Sequence, residues 1–432
     1  MTGSARVRLL GGIGTIGGTK LLVETGSARL CFDFGVAYAP GARPFDERLK
    51  PRPAALLRDL MYWHLAPPVE GIYPPALAEP AGLVPAGSPG QDPWTVFITH
   101  LHLDHMGLTR LLDPSVKLLA SEESVRLARG LRAAGEPVEG PELQPVPLSS
   151  PVRVGDVEVV PLRVDHDVVG ACAYAIGTQD GWVVYSGDLR LHGTHPEWTE
   201  AFVQAAAALK PVALFLEGTR LPEERPTNSV PESEIAERVL TIAKAHGGMA
   251  LVNFYPRNVE RIQALGAHAA LSGRKFVLQP EVYAQLQAMH EPMDHFLQYR
   301  RAGQDGGDVD AQEVRKDPGA YLVHLPYRQI TELVDLDPPA DSVYMLCNGE
   351  PLGIYDPAYP NLMRWLESFG VEGVRTGTSG HAAPEALDAI ATGIAPRVLF
   401  PIHSHRPDLM QPPGLRIQLP VFGETYRLAD LG

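Results

Sequence analysis

Cysteine is nearly absent from this chain of 432 residues: Cys31, Cys172 and Cys347 are the whole complement. Their odd number, wide spacing and apolar neighbours argue against a disulfide framework or a CxxC motif, and suit small core residues in a reducing compartment. Long hydrophobic runs are missing too. No stretch reaches about 18 consecutive apolar residues, and the opening MTGSARVRLLGG has no basic segment leading into an apolar one. Neither a membrane span nor a secretory leader is expected, and the protein is expected to be cytoplasmic. Positive charge is the third scarcity. With 37 Lys and Arg against 51 Asp and Glu, the formal net charge is −14, which argues against general electrostatic affinity for nucleic acid but leaves room for a local basic groove. Internal repeats and low-complexity tracts are also lacking.

What is there reads as a soluble globular protein, 45% hydrophobic and 20% charged. The length exceeds the roughly 250–300 residues at which single cores stop growing, so two domains or one domain with a large insertion is expected. RVRLLGG, TKLLVET and RLCFDFG suggest an opening β-meander, and 36–93 is a Pro-rich connection with a short helix near AALLRDLMYW. WTVFIT, VKLLAS, VEVVPLRV, ACAYAIG, WVVYSGD and VALFLEG follow as strands, with helical patches at 121–134 and 198–209. After Gly218 helix and strand alternate, as in SEIAERVLTIAKAHGG, MALVNF and RNVERIQALGAHAAL. The polar stretch 300–319 reads as a loop or flexible cap, and VYMLCN, a helix at 360–369 and RVLFPIH close the chain.

The segment THLHLDHMG places three histidines and an aspartate within six positions, just past the apolar run WTVFIT. Alternate side chains of an extended segment share a face, so His100 and His102 can address one ion, while Asp104 and His105 turn with the chain toward a second. The plain alternative is a polar turn with incidental histidines. Further donors follow other apolar strands, His166 in RVDHDVVG, Asp188 in VVYSGDLR and His403 in VLFPIHSH, while GTSGHAAPEAL places His381 on a Ser-Gly turn before a helix. His166 also reads as a solvated loop residue and Asp188 as a turn or cap aspartate. A carboxylate such as Asp188 can bridge two metals, whereas His405 is expected to be solvated.

Asp33, HLHLDH, His166, Asp188, Glu217, His381 and His403, together with DHDVVGACAYAI, YSGDLRLHG, FLEGTRL, NFYPRNVERIQAL, TSGHAAPEAL and PIHSH, occur in one order over nearly the whole chain. In that order the sequence resembles the metallo-β-lactamase fold nucleases that carry a β-CASP insertion, and among them the ribonuclease J group most. The resemblance implies an α/β protein with a four-layer αββα metallo-β-lactamase fold and an inserted α/β β-CASP domain. It divides the chain into 1–218, an insertion at 219–365, and a return at 366–432. It implies one zinc on His100, His102 and His166, a second on Asp104, His105 and His403, and Asp188 between them, with manganese also suited to such ligands. Asp33 would orient a ligand histidine. Catalysis would fall to Asp104, His381 and Glu217, with His381 as acid toward the leaving oxygen and Glu217 holding it.

The implied activity is two-metal hydrolysis of RNA, 5′-to-3′ exonucleolytic, endonucleolytic or both, on a single-stranded substrate and with no membrane partner. A histidine at the last motif, His403, is the family feature that favours RNA. A DNA nuclease of the same fold and a small ester or thioester hydrolase are the alternatives. Ser379, Gly380, Tyr255, Arg257 and Asn258 are the expected substrate contacts, with Asn253 beside them. A cationic groove is expected from Arg220, Arg257, Arg261, Arg300, Arg301, Arg315 and Arg328. Two residues depart from the ribonuclease J pattern, Gly377 in place of a histidine and Asp167 in place of a serine, and point to altered recognition of the RNA end. A homodimer is expected from the family.

Overall fold

The computed structural model describes residues 4–39, 44–46, 48–221 and 230–431. The opening runs pair antiparallel as Arg6–Leu9, Leu21–Glu24 and Arg29–Phe32, as their apolar alternation predicts. Trp94–Phe97, Lys117–Ser121 and Leu143–Val146 extend this sheet in parallel, and Thr425–Arg427 closes its other edge, giving seven strands. A six-stranded sheet holds Val398–Ile402, Ala213–Glu217, Gly181–Tyr185, Cys172–Thr178, Val157–Arg163 and Val152–Val154 in that order.

The inner faces of the two sheets bury Phe32, Phe97, Tyr174, Tyr185, Phe215 and Phe400 between them. Phe97 packs on Phe32 at 5.2 Å and on Tyr174 at 5.4 Å between ring centroids. Each such ring removed from water contributes about 1.5–3 kcal/mol, which makes this seam the rigid floor of the molecule. Helices Pro196–Ala208 and Pro384–Ile394 cover the second sheet with Phe202, Leu387 and Ile390, and Glu122–Ala133 covers the first with Leu127 and Leu131. The result is an αββα arrangement of four layers.

A third, seven-stranded sheet is parallel throughout, in the order Val309–Asp310, Phe296–Arg300, Lys275–Leu278, Tyr321–His324, Ala250–Phe254, Val343–Cys347, Glu372–Arg375. Its last strand lies past residue 365, a position inside helix Tyr359–Ser368. The core of its helices is continuous with that under the first sheet, where Glu122–Ala133 packs on Pro280–Ala288.

Two segments are more ordered than their polarity suggests. The stretch 300–319, expected to be a loop, contains helix Ala311–Lys316, started by a capping box in which Asp310 and Glu313 bond each other's backbone N–H. The Pro-rich connection holds Leu56–Tyr62 as expected and also Pro75–Ala81, which begins with a proline where no N–H is needed. Among the described residues no helix is long and apolar enough to cross a membrane.

Candidate metal centre

The strands Trp94–Phe97, Gly181–Tyr185, Ala213–Glu217 and Val398–Ile402 end at one edge of the paired sheets, and Val157–Arg163 points the same way. The residues just beyond them are therefore brought together: His100, His102, Asp104 and His105; His166; Asp188; Glu217; His403. Asp33 and His403 both adopt left-handed backbone, with φ of 61° and 52°. That conformation costs a non-glycine residue about 1–3 kcal/mol and is held here by the packing around the site. Gly35 is required next to them, because a Cβ there would lie 1.7 Å from the Asp104 carbonyl oxygen.

One group comprises His100, His102, His166 and Asp188, another Asp104, His105, Asp188 and His403, each with its ligand atoms within 4.8 Å of one another. In the first, His102 Nδ1 stands 3.1 Å from His100 Nε2 and 3.2 Å from His166 Nε2. In the second, His105 Nε2 stands 3.1 Å from Asp188 Oδ2 and 3.2 Å from His403 Nε2, which is 3.2 Å from Asp104 Oδ2. Asp188 is common to both.

The outward ring nitrogens decide which lone pairs face inward. His166 Nδ1 can only donate to the Gly380 carbonyl, 2.6 Å away, so neutral His166 presents a bare Nε2 to the cluster. His105 Nδ1 lies 2.7 Å from Asp33 Oδ2, and Asp33 is fixed by Thr99 N–H at 2.7 Å and by the Tyr185 hydroxyl at 2.6 Å. Asp33 thus lies on the side of His105 away from Asp188 and His403, bonded to its Nδ1. His403 Nδ1 rests on Thr219 Oγ1 at 2.8 Å and His100 Nδ1 on Thr99 Oγ1 at 3.0 Å.

Burial, reinforced by the neighbouring histidines, holds His100 well below the usual imidazole range, and burial brings His102 down to about 3 against the pull of Asp167. His105 moves the other way. Burial opposes its protonation, but Asp188, Asp33 and Asp104 together outweigh that. Buried imidazole nitrogens and carboxylate oxygens facing one another at about 3 Å, with Asp188 Oδ1 buried and unpartnered, form a donor set that fits divalent cations. This cluster can bind metal.

Beside it, His381 Nδ1 lies 3.1 Å from Glu217 Oε1 and 3.8 Å from Asp188 Oδ2. Glu217 also accepts from Thr219 N–H at 2.9 Å. Burial works against a charge on His381, yet Glu217, then Asp188 and Asp167, push its pKa up to about 9.

The remaining expected residues are placed as follows. Ser379 Oγ accepts from His381 N–H at 3.1 Å, and the Tyr255 ring lies 5.1 Å from that of His102. Asn258 caps helix Val259–Leu271 by accepting from Arg261 N–H at 3.0 Å, and Asn253 Nδ2 donates to the Glu350 carbonyl at 2.8 Å. The arginines do not form an open groove of free charges. Arg257 is buried on Glu136, Arg300 pairs with Asp310, Arg301 with Glu281, Arg315 with Asp337 and Arg328 with Glu350. Arg220 is buried with Nη1 3.3 Å from the His381 carbonyl. His405 is exposed, as expected.

Sequence reasoning missed a buried charge network beneath the site. Arg190 donates to Asp165 at 3.0 Å, to Glu232 at 2.8 Å and to the Ser379 carbonyl at 3.3 Å. Arg261 grips the same Glu232 at 2.6 and 2.7 Å and donates to the Cys347 carbonyl at 2.9 Å. These residues come from distant parts of the chain, and no local spacing announces them.

A family profile described as "Beta-lactamase superfamily domain" matches residues 62–278. Ribonuclease J of Mycolicibacterium smegmatis is 25% identical over 448 residues, covering 100% of this chain and 74% of that protein. Ribonuclease J of Helicobacter pylori is 23% identical over 316 residues, 68% of this chain but only 40% of that protein, so the chain spans less than half of that relative's length. The crystal structure of a protein of unknown function from Enterococcus faecalis V583 matches with a TM-score of 0.81 at 29% identity, over 98% of this chain and 100% of that one. A four-layer scaffold with clustered histidines at its strand ends and a profile match over half its length agree: the chain belongs to the metallo-β-lactamase superfamily and is similar to ribonuclease J.

Proposed function

We propose that the protein is a zinc-dependent ribonuclease that hydrolyses phosphodiester bonds of single-stranded RNA, as a 5′-to-3′ exonuclease, an endonuclease or both. The observation that carries the reading is the sharing of Asp188 by two adjoining ligand groups, with the His381–Glu217 pair alongside. His100, His102 and His166 would hold one ion and Asp104, His105 and His403 the other. When bound, such a pair supplies Lewis-acid charge to the phosphoryl oxygens and lowers the pKa of a water toward neutrality.

The chain's own groups do the rest. Asp33, Thr99, Thr219 and the Gly380 carbonyl fix the ligand rings, so that their lone pairs need no reorganisation. With its pKa raised to about 9 by Glu217, Asp188 and Asp167, His381 would supply a proton to the leaving sugar oxygen, while Glu217 would hold the ring and its charge. The third sheet, as a domain inserted from residue 219 to about Arg375, brings Tyr255 against His102, where its ring can stack on a base.

The test is a time course on RNA labelled at either end and on the matching DNA, with Asp104→Ala as control. Metal-dependent cleavage of RNA, abolished in the variant, is expected. Cleavage of DNA alone, or of neither polymer, would sink the proposal.

A further inference from the structure

Asp167 stands outside the two ligand groups, with its carboxylate beside His166 and His102. Its Oδ1 is buried and has no hydrogen-bond partner. That atom lies 3.3 Å from His166 Nε2, the inward-facing nitrogen, whereas Asp188 Oδ2 lies 4.0 Å from the same nitrogen. Two atoms bound to one ion at about 2.0–2.2 Å stand about 3.0–3.5 Å apart across the usual coordination angles. The His100–His102 and His102–His166 separations of 3.1 and 3.2 Å fall in that range, and so does Asp167–His166.

The neighbouring turn is shaped around this carboxylate. A Cβ on Gly380 would lie 2.4 Å from Asp167 Oδ1, so a side chain there would drive the oxygen out of place. The same Gly380 holds His166 through its carbonyl, which couples the position of Asp167 to that of the ligand beside it.

We propose that Asp167 is a direct ligand of the ion held by His100, His102 and His166, giving that position three imidazoles and two carboxylates. The inference rests on the two-ion reading of the site. The extra carboxylate adds negative charge and raises the coordination number, which tightens binding of divalent cations and favours manganese relative to a site with fewer oxygens. The competing role is an outer one, in which Asp167 accepts a hydrogen bond from His102 Nε2, now 3.8 Å away, and only orients that ring.

Cobalt titration of the metal-free full-length protein separates the two. Affinity would be followed by elemental analysis and coordination number by the visible absorbance of bound cobalt. Asp167→Ser and the isosteric Asp167→Asn would be compared with wild type. The expected result is that one of the two cobalt ions binds more than about 100-fold more weakly in Asp167→Ser, beyond the 10–100-fold that losing an orienting partner costs. Its absorbance should rise as the coordination number falls, while the second ion is unchanged. Unaltered affinity and spectrum in both variants would overturn the assignment, as would full recovery in Asp167→Asn, whose amide oxygen can still accept from His102. Wild type binding fewer than two ions would instead remove the two-ion reading itself. The titration needs no RNA, so failure of the ribonuclease proposal leaves it intact.

Discussion

Two carboxyl-terminal sheet edges in this protein are built alike and end differently. Beyond the strands of the second sheet, Asp188, Glu217 and His403 converge with lone pairs inward, and an oxygen of Asp188 has no partner at all. Beyond the strands of the third sheet, polar residues are as plentiful but bond to one another. Arg301 donates to Gln279 at 2.9 Å and Glu281 at 2.6 Å, and Arg300 to Asp310 at 2.7 Å. The exceptions include Asn253 Oδ1, Arg257 Nε, Asn258 Nδ2 and both ring nitrogens of His324, whose face stacks on Phe254 at 4.1 Å, but among the described residues none of them belongs to a cluster of histidines and carboxylates. Position at a strand end therefore does not make a site. What distinguishes the first edge is convergent polar atoms left unsatisfied by the protein itself.

The contrast can be broken at either edge. Asp188→Ala should have the largest effect, with bound metal and RNA cleavage falling together to the level of the metal-free protein. Full metal content with lost cleavage would show that Asp188 is no ligand. His381→Ala should lower the cleavage rate by roughly 10²–10⁴-fold, the contribution of a positioned general acid, with metal content unchanged. Parallel loss of metal would make His381 a ligand instead.

At the satisfied edge the effects concern stability. Burial, with Arg301 nearby, lowers the pKa of His324 to about 3 in the fold, against 6.5 when unperturbed. Below pH 6.5 the unfolded chain binds a proton that the folded chain refuses, so stability is lost as the pH falls from 6.5 toward 3. His324→Phe should remove about 2 kcal/mol of that loss between pH 7 and 5, read from urea midpoints at the two pH values. Parallel curves for variant and wild type would refute it. Asn258→Ala should cost about 1 kcal/mol, the worth of a helix cap, with little change in KM for RNA. A large rise in KM at unchanged stability would restore Asn258 as a substrate contact.

The metal edge was legible in the sequence because its signals are local. HLHLDH follows an apolar strand, and strand alternation alone puts His100 and His102 on one side. Asp33 and Glu217 were reached only through resemblance, since nothing in their own spacing marks them. Arg190, Glu232 and Arg261 were missed as a network because a buried ion pair depends on tertiary contact between segments far apart in sequence. Helix Ala311–Lys316 is a different kind of omission. Asp310 and Glu313 form the D-x-x-E string that starts helices, and the surrounding glycines and charges obscured it.

The Arg190–Glu232–Arg261 network also governs how the chain could be taken apart. Glu232 opens helix Glu232–Ala245, which packs with the third sheet, whereas Arg190 and Asp165 follow strands of the second sheet, and all three are buried. Excising the segment that carries Glu232 would leave the Arg190 guanidinium short of one of its two carboxylates, and stripping a partner from a buried pair costs about 3–5 kcal/mol. Grafting a foreign cap onto this scaffold would succeed only if the donor brought an acid to the place of Glu232.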